Sequence, residues 1–61
     1  MTDREKFENS KMKMMLDHNH TARITTNDEF ITYEYLAIDV MLEIVFYKDS
    51  GELFDTTVSA Q

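Results

Sequence analysis

Ile38, Val40, Leu42, Ile44 and Phe46 alternate with Asp39, Met41, Glu43, Val45 and Tyr47, and the run stops at Asp49-Ser50-Gly51, where the chain places its only glycine. This feature constrains the fold most. A period of two puts an unbroken apolar row on one face of a strand. A short turn that ends in glycine suits a hairpin whose last loop residue needs positive φ. The pattern predicts a strand near 40–48, a turn at Asp49, Ser50 and Gly51, and a return strand near 52–58. In that return strand Leu53 and Val58 read as buried, and Thr56 and Thr57 supply β-branching.

The stretch before it supports two readings. "RITTNDEFITYEY" resembles a further hairpin turning at Asn27-Asp28. Yet Thr26 with Glu29 also forms a capping-box pattern. Wound as a helix, residues 27–46 put Asp28, Glu29, Thr32, Asp39 and Glu43 on one arc. Composition favours strands, because eleven of the eighteen residues from 30 to 47 are β-branched or aromatic. The helical alternative would also present an apolar arc too wide for so short a chain to bury.

The first sixteen or so residues read as a helix. Thr2 and Glu5 form a capping box, and Asp3 and Glu5 suit the positive end of the helix dipole. Phe7, Met14 and Met15 fall on one side of that helix, extended by Met12 and Leu16. The expected fold is therefore α+β: one domain over residues 1–61, with an N-terminal helix packed on a three- to four-stranded antiparallel sheet. The alternative is a mainly α chain with a second helix near 27–46 and a short C-terminal hairpin.

Size and composition limit function. A chain of 61 residues buries only about 60% of its unfolded surface and is marginally stable unless something staples it. Cysteine is absent, which removes disulfides and thiolate metal sites. With one glycine and no proline, no glycine-rich phosphate loop can be built. No apolar run is long enough to span a membrane. The polar start "MTDREKFENSK" does not read as a signal peptide, so a cytoplasmic location is expected. Self-association is the remaining common staple. Met12, Met14, Met15, Met41, Val45 and Tyr47 are the candidate oligomer interface, since methionine packs adaptably.

"LDHNHTA", at positions 16–22, gathers Asp17, His18 and His20. On a helix, positions two apart diverge, and a third ligand would have to come from elsewhere. The segment lies where the first helix should end, where histidines suit the negative pole and asparagine tolerates a left-handed terminus. It reads as a helix end, with no metal and no cofactor expected. Nor does the chain read as an enzyme. A catalytic His or carboxylate pair needs a pocket that excludes water, and no nucleophile-elbow pattern surrounds Ser10 or Ser50.

Charge is the most informative global property. The net charge is −6, and it is unevenly spread. Beyond residue 23 there are eight acids against Lys48 alone, a net −7. Arg4 and Lys11 lie apart from Lys6 and Lys13 on the first helix, so no basic stripe forms, and direct nucleic-acid binding is disfavoured. The acids Asp28, Glu29, Glu34, Asp39, Glu43, Asp49, Glu52 and Asp55 are interspersed with Tyr33, Tyr35, Phe46, Tyr47 and Phe54. Carboxylates among aromatics complement a basic protein surface. The expected partner-binding residues are those eight acids with Tyr33 and Tyr35. The expected function is a small acidic module that binds and inhibits or modulates a basic nucleic-acid-handling protein, in part by imitating phosphate charge. Small phage-encoded inhibitors of host factors share this profile by analogy of type. The alternative is a structural homo-oligomer, or a small dimeric transcriptional regulator that uses the first helix.

Overall fold

The computed structural model describes residues 1–60. Two helices, α1 (Asp3–Glu8) and α2 (Lys11–Asn19), precede four strands: β1 (Thr21–Thr26), β2 (Phe30–Leu36), β3 (Val40–Tyr47) and β4 (Leu53–Ala60). The strands form one antiparallel meander in the order β1-β2-β3-β4. The helices cover one face of this sheet, so the architecture is the expected α+β, with no helix over 27–46.

The N-terminal helix differs from expectation in being broken. Residues 3–16 do not run as one helix, because Ser10 is extended (φ −87, ψ 156) and caps a new one. Its hydroxyl accepts from the Lys13 amide at 3.1 Å and donates to the Phe7 carbonyl at 2.6 Å. The same oxygen thus serves the end of α1 and the start of α2, which is why serine favours such a junction. The capping box at Thr2 and Glu5 is present as predicted. The break re-phases the apolar arc. Phe7 and Leu16 meet the sheet, whereas Met12, Met14 and Met15 are 59–70% exposed.

The core is small. Ile31, Tyr33 and Tyr35 of β2 and Ile44 and Phe46 of β3 are buried, with Phe7, Leu16 and Leu42 packed against them. Phe7 is the central plug. Its ring meets Tyr33 edge-on at 5.1 Å and lies 5.7 Å from Phe46, and Tyr33 meets Phe46 edge-on at 5.6 Å. Such pairs contribute about 0.5–1.5 kcal/mol beyond the area they bury. Alternation along β2, and along β3 from Ile44 to Phe46, creates this core.

Several expectations for individual residues are corrected. Tyr33 and Tyr35 are 1% and 2% exposed; they belong to the core and cannot offer a ring to a partner. Both keep a polar handle on the helix layer. Arg4 Nε donates to the Tyr33 hydroxyl at 3.0 Å, and the Asp17 carboxylate accepts from the Tyr35 hydroxyl. Ile38 is not a strand residue. It sits fully exposed in the turn between β2 and β3, which the Ala37 amide closes on the Val40 carbonyl at 2.9 Å. Leu53 and Val58, expected to be buried, are 48% and 67% exposed. They lie on β4 at the sheet edge, beyond the reach of a six- and a nine-residue helix. Asn19 is not left-handed, since Gly51 alone has positive φ among the described residues. Its side chain instead donates to the Met15 carbonyl at 2.9 Å, and His20 passes directly into β1.

Candidate functional site

In a meander the β1–β2 and β3–β4 turns lie at the same end of the sheet. Here they touch, because the Lys48 amide donates to the Glu29 carbonyl at 2.8 Å. Each turn is built by its own sequence. Asn27 Oδ1 accepts from the amides of Glu29 and Phe30, both at 2.8 Å, the side-chain mimicry of a turn that asparagine performs. The β3–β4 loop closes through Tyr47 N to Glu52 O at 2.8 Å and Gly51 N to Tyr47 O at 2.9 Å. Gly51 takes φ +74, as expected. Ser50 Oγ accepts from the Glu52 amide at 3.2 Å.

These two turns bring Asp28, Glu29, Asp49 and Glu52 around one open depression that Tyr47 and Ser50 also line. Behind the acids, on the sheet face that no helix covers, stands a triangle of rings. Phe30 lies 5.4 Å from Tyr47 and 4.7 Å from Phe54, and Tyr47 meets Phe54 edge-on at 5.3 Å. Phe30 and Tyr47 are a cross-strand pair. Phe54 joins them through a bulge. Val45 pairs with Asp55 and Phe46 pairs with Leu53, which leaves Phe54 as the extra residue. Tyr47 and Phe54 remain 39% and 51% exposed, so aromatic surface is presented next to carboxylate. Asp55 follows on the same face, opposite Val45.

The other candidate acids lie elsewhere. Glu34 and Glu43 face each other across β2 and β3 in the middle of the open face. Arg23 from β1 holds Glu34 with two bonds at 3.0 Å. That contact, with Glu43 adding to it, raises the arginine pKa. Asp39 sits in the β2–β3 turn at the opposite end of the sheet. Five of the eight acids therefore converge on one end or the face beside it, one is neutralised by the chain's own arginine, one stands next to that pair, and one is remote.

The candidate oligomer residues do not form one surface. Met12, Met14 and Met15 lie on the helix layer, whereas Met41, Val45 and Tyr47 point to the opposite, open face. Phe30 was not singled out from the sequence, although its alternation against buried Ile31 placed it on the outer face. The "DHNH" segment forms the end of α2. Asp17 is bound to Lys13 Nζ at 2.6 Å, and this holds its carboxyl below the usual carboxylate range. No group of three His, Cys, Asp or Glu suited to a metal ion occurs among the described residues. No helix among them is long and apolar enough to cross a membrane. Neither family models, curated proteins nor solved structures offer a match to this chain.

Proposed function

We propose that this chain is a small acidic binding module that docks a basic protein surface with the β1–β2/β3–β4 end of its sheet. One observation carries the reading: Asp28, Glu29, Asp49 and Glu52 share a depression with Tyr47, beside the exposed Phe30–Tyr47–Phe54 triangle. Carboxylates attract lysine and arginine from a distance and speed encounter. Aromatic faces then hold the cation and the apolar stem behind it. A solvated acidic surface that served solubility alone would not need three rings stacked in the open.

Surfaces dense in lysine and arginine are typical of proteins that handle nucleic acid, and occupation by an acidic module would block phosphate from them. Inhibition or modulation of such a protein, with phosphate imitated by carboxylate, is the function that follows. The clustering narrows the partner contact to one end of the sheet. Asp39, and Glu34 held by Arg23, lie outside it.

An arginine-rich peptide titrated into the protein by calorimetry tests the reading. Binding is expected at low salt, with an affinity that falls steeply as ionic strength rises. It should also fall on the double change Asp49→Asn with Glu52→Gln. Equal affinity of the double variant, or no heat at low salt, would remove the proposal.

A further inference from the structure

We infer that β4 is a dimerisation edge, on which a second copy of this chain pairs its own β4 antiparallel across a two-fold axis near Val58. The two edges of the sheet are not equivalent. β1 carries Arg23 in its centre, with a side chain 63% exposed, and a charge on an edge strand blocks pairing with another chain. β4 carries none over Thr56, Thr57, Val58, Ser59 and Ala60. Its one charged residue, Asp55, lies beside the bulge at Phe54, and its carboxylate accepts from the Thr56 amide at 2.9 Å and the Thr57 hydroxyl at 3.4 Å, so the regular edge centres on Val58, Ser59 and Ala60. An uncharged, β-branched, regular edge is a template for another strand.

The flank of this edge is mostly apolar. On the helix side, Leu53 lines a groove with Phe7, Met12 and Ile44, which Asp3 and Lys6 also line. Val58 lines its continuation with Leu16 and Tyr35. Met12, Leu53 and Val58 are 59%, 48% and 67% exposed.

Charge sets the geometry in which a second copy can pair. Two chains of net −6 repel unless their acidic ends stay apart. Antiparallel pairing about Val58 puts Thr56 opposite Ala60 of the second copy and Val58 opposite its counterpart. The nearest acids, the two Asp55 residues, are then six residues apart along the strands, about 20 Å, more than two screening lengths at physiological salt, and the two Glu52 residues are about 40 Å apart. The two-fold also closes the assembly, giving an eight-stranded sheet whose acid-rimmed ends point in opposite directions. An edge pairing with one apolar flank lies toward the low end of the roughly 800 Å² per partner typical of stable interfaces, so assembly depends on concentration.

Sedimentation equilibrium of the isolated protein, from about 1 to 500 μM in about 1 M salt, tests this without any basic partner. Failure here leaves the acidic-end proposal standing, and failure of peptide binding leaves this one standing. The mass is expected to climb from 7.2 kDa toward twice that value. Val58→Lys should hold it at the monomer mass with an unchanged circular dichroism spectrum. Ile24→Lys on β1, an edge position 56% exposed, should still dimerise. If Val58→Lys unfolds, Val58→Thr replaces it and should weaken association at least several-fold. A single monomer mass throughout, or dissociation by Ile24→Lys and not by the Val58 variants, overturns the inference.

Discussion

Gly51 lies against Thr2: a Cβ at position 51 would stand 2.8 Å from both Cβ and Oγ1 of Thr2. The turn between the last two strands is thereby packed onto the first residue of the helical layer. The Arg4 amide reinforces the contact by donating to the Gly51 carbonyl at 2.9 Å. Asp3 ties the same region to β4 by accepting from the Leu53 amide at 2.8 Å. Gly51→Ala therefore meets two costs. The left-handed backbone (φ +74) penalises any side chain by about 1–2 kcal/mol, and Thr2 cannot rotate away without giving up its capping bond to Glu5. Urea unfolding should show a loss of about 2–3 kcal/mol, at the upper end for a surface turn. Thr2→Gly in the same chain should recover part of it, because glycine at a cap costs only a few tenths.

The Tyr35 hydroxyl gives an alkaline signature. Burial first, then the bond to Asp17, pushes its pKa up to about 12 from 10. Ionisation in the unfolded chain near pH 10 is thus not matched in the folded one. The unfolded state binds fewer protons between pH 10 and 12, so stability falls as pH rises through that window. Tyr35→Phe should flatten this decline in a denaturant series at stepped pH, while costing about 1 kcal/mol at neutral pH for the lost hydrogen bond. Asp17 works in the opposite direction. Its folded pKa is depressed by Lys13, so its contribution is present above the ordinary carboxylate pKa and is lost as the solution is acidified below it.

Ser10 joins two helices that sequence periodicity alone would merge. Ser10→Ala removes the acceptor for the Lys13 amide and the donor to the Phe7 carbonyl. A loss of about 1 kcal/mol is expected in thermal unfolding. Ser10→Asp should recover only part of that loss, because a carboxylate accepts from the Lys13 amide but cannot donate to the Phe7 carbonyl.

Phe54 separates binding from folding. Being 51% exposed on the open face, it can be cut to alanine at a cost of about 1 kcal/mol or less in stability. If the ring triangle holds a cation, Phe54→Ala should weaken arginine-peptide affinity about five- to tenfold, the size of a partly desolvated cation–π contact. Peptide titration beside a melting curve reads both quantities.

Alternation in β3, the glycine turn and the Thr2–Glu5 cap were all legible in the sequence, because each rests on local geometry. The β2–β3 turn at Ala37–Asp39 was not, since it contains neither glycine nor proline to mark it. The candidate site was partly legible. The acids were visible as an excess, but their convergence depends on two turns 20 residues apart meeting at one end of a meander. Tyr33 and Tyr35 were misplaced for a related reason. A tyrosine at an alternating position is buried or exposed according to which face the helices take.

By itself the sequence determined that this chain would make a helical start, a glycine-closed hairpin and a strongly negative C-terminal body, because caps, turn φ and net charge are properties of neighbouring residues. Only the tertiary structure decided which face of the sheet was covered. The break at Ser10 aims Phe7 and Leu16 at β2 and β3 and leaves β4 and the Phe30–Tyr47–Phe54 face in the open. Two short helices have too little apolar surface to cover more, so what stays exposed was settled by packing.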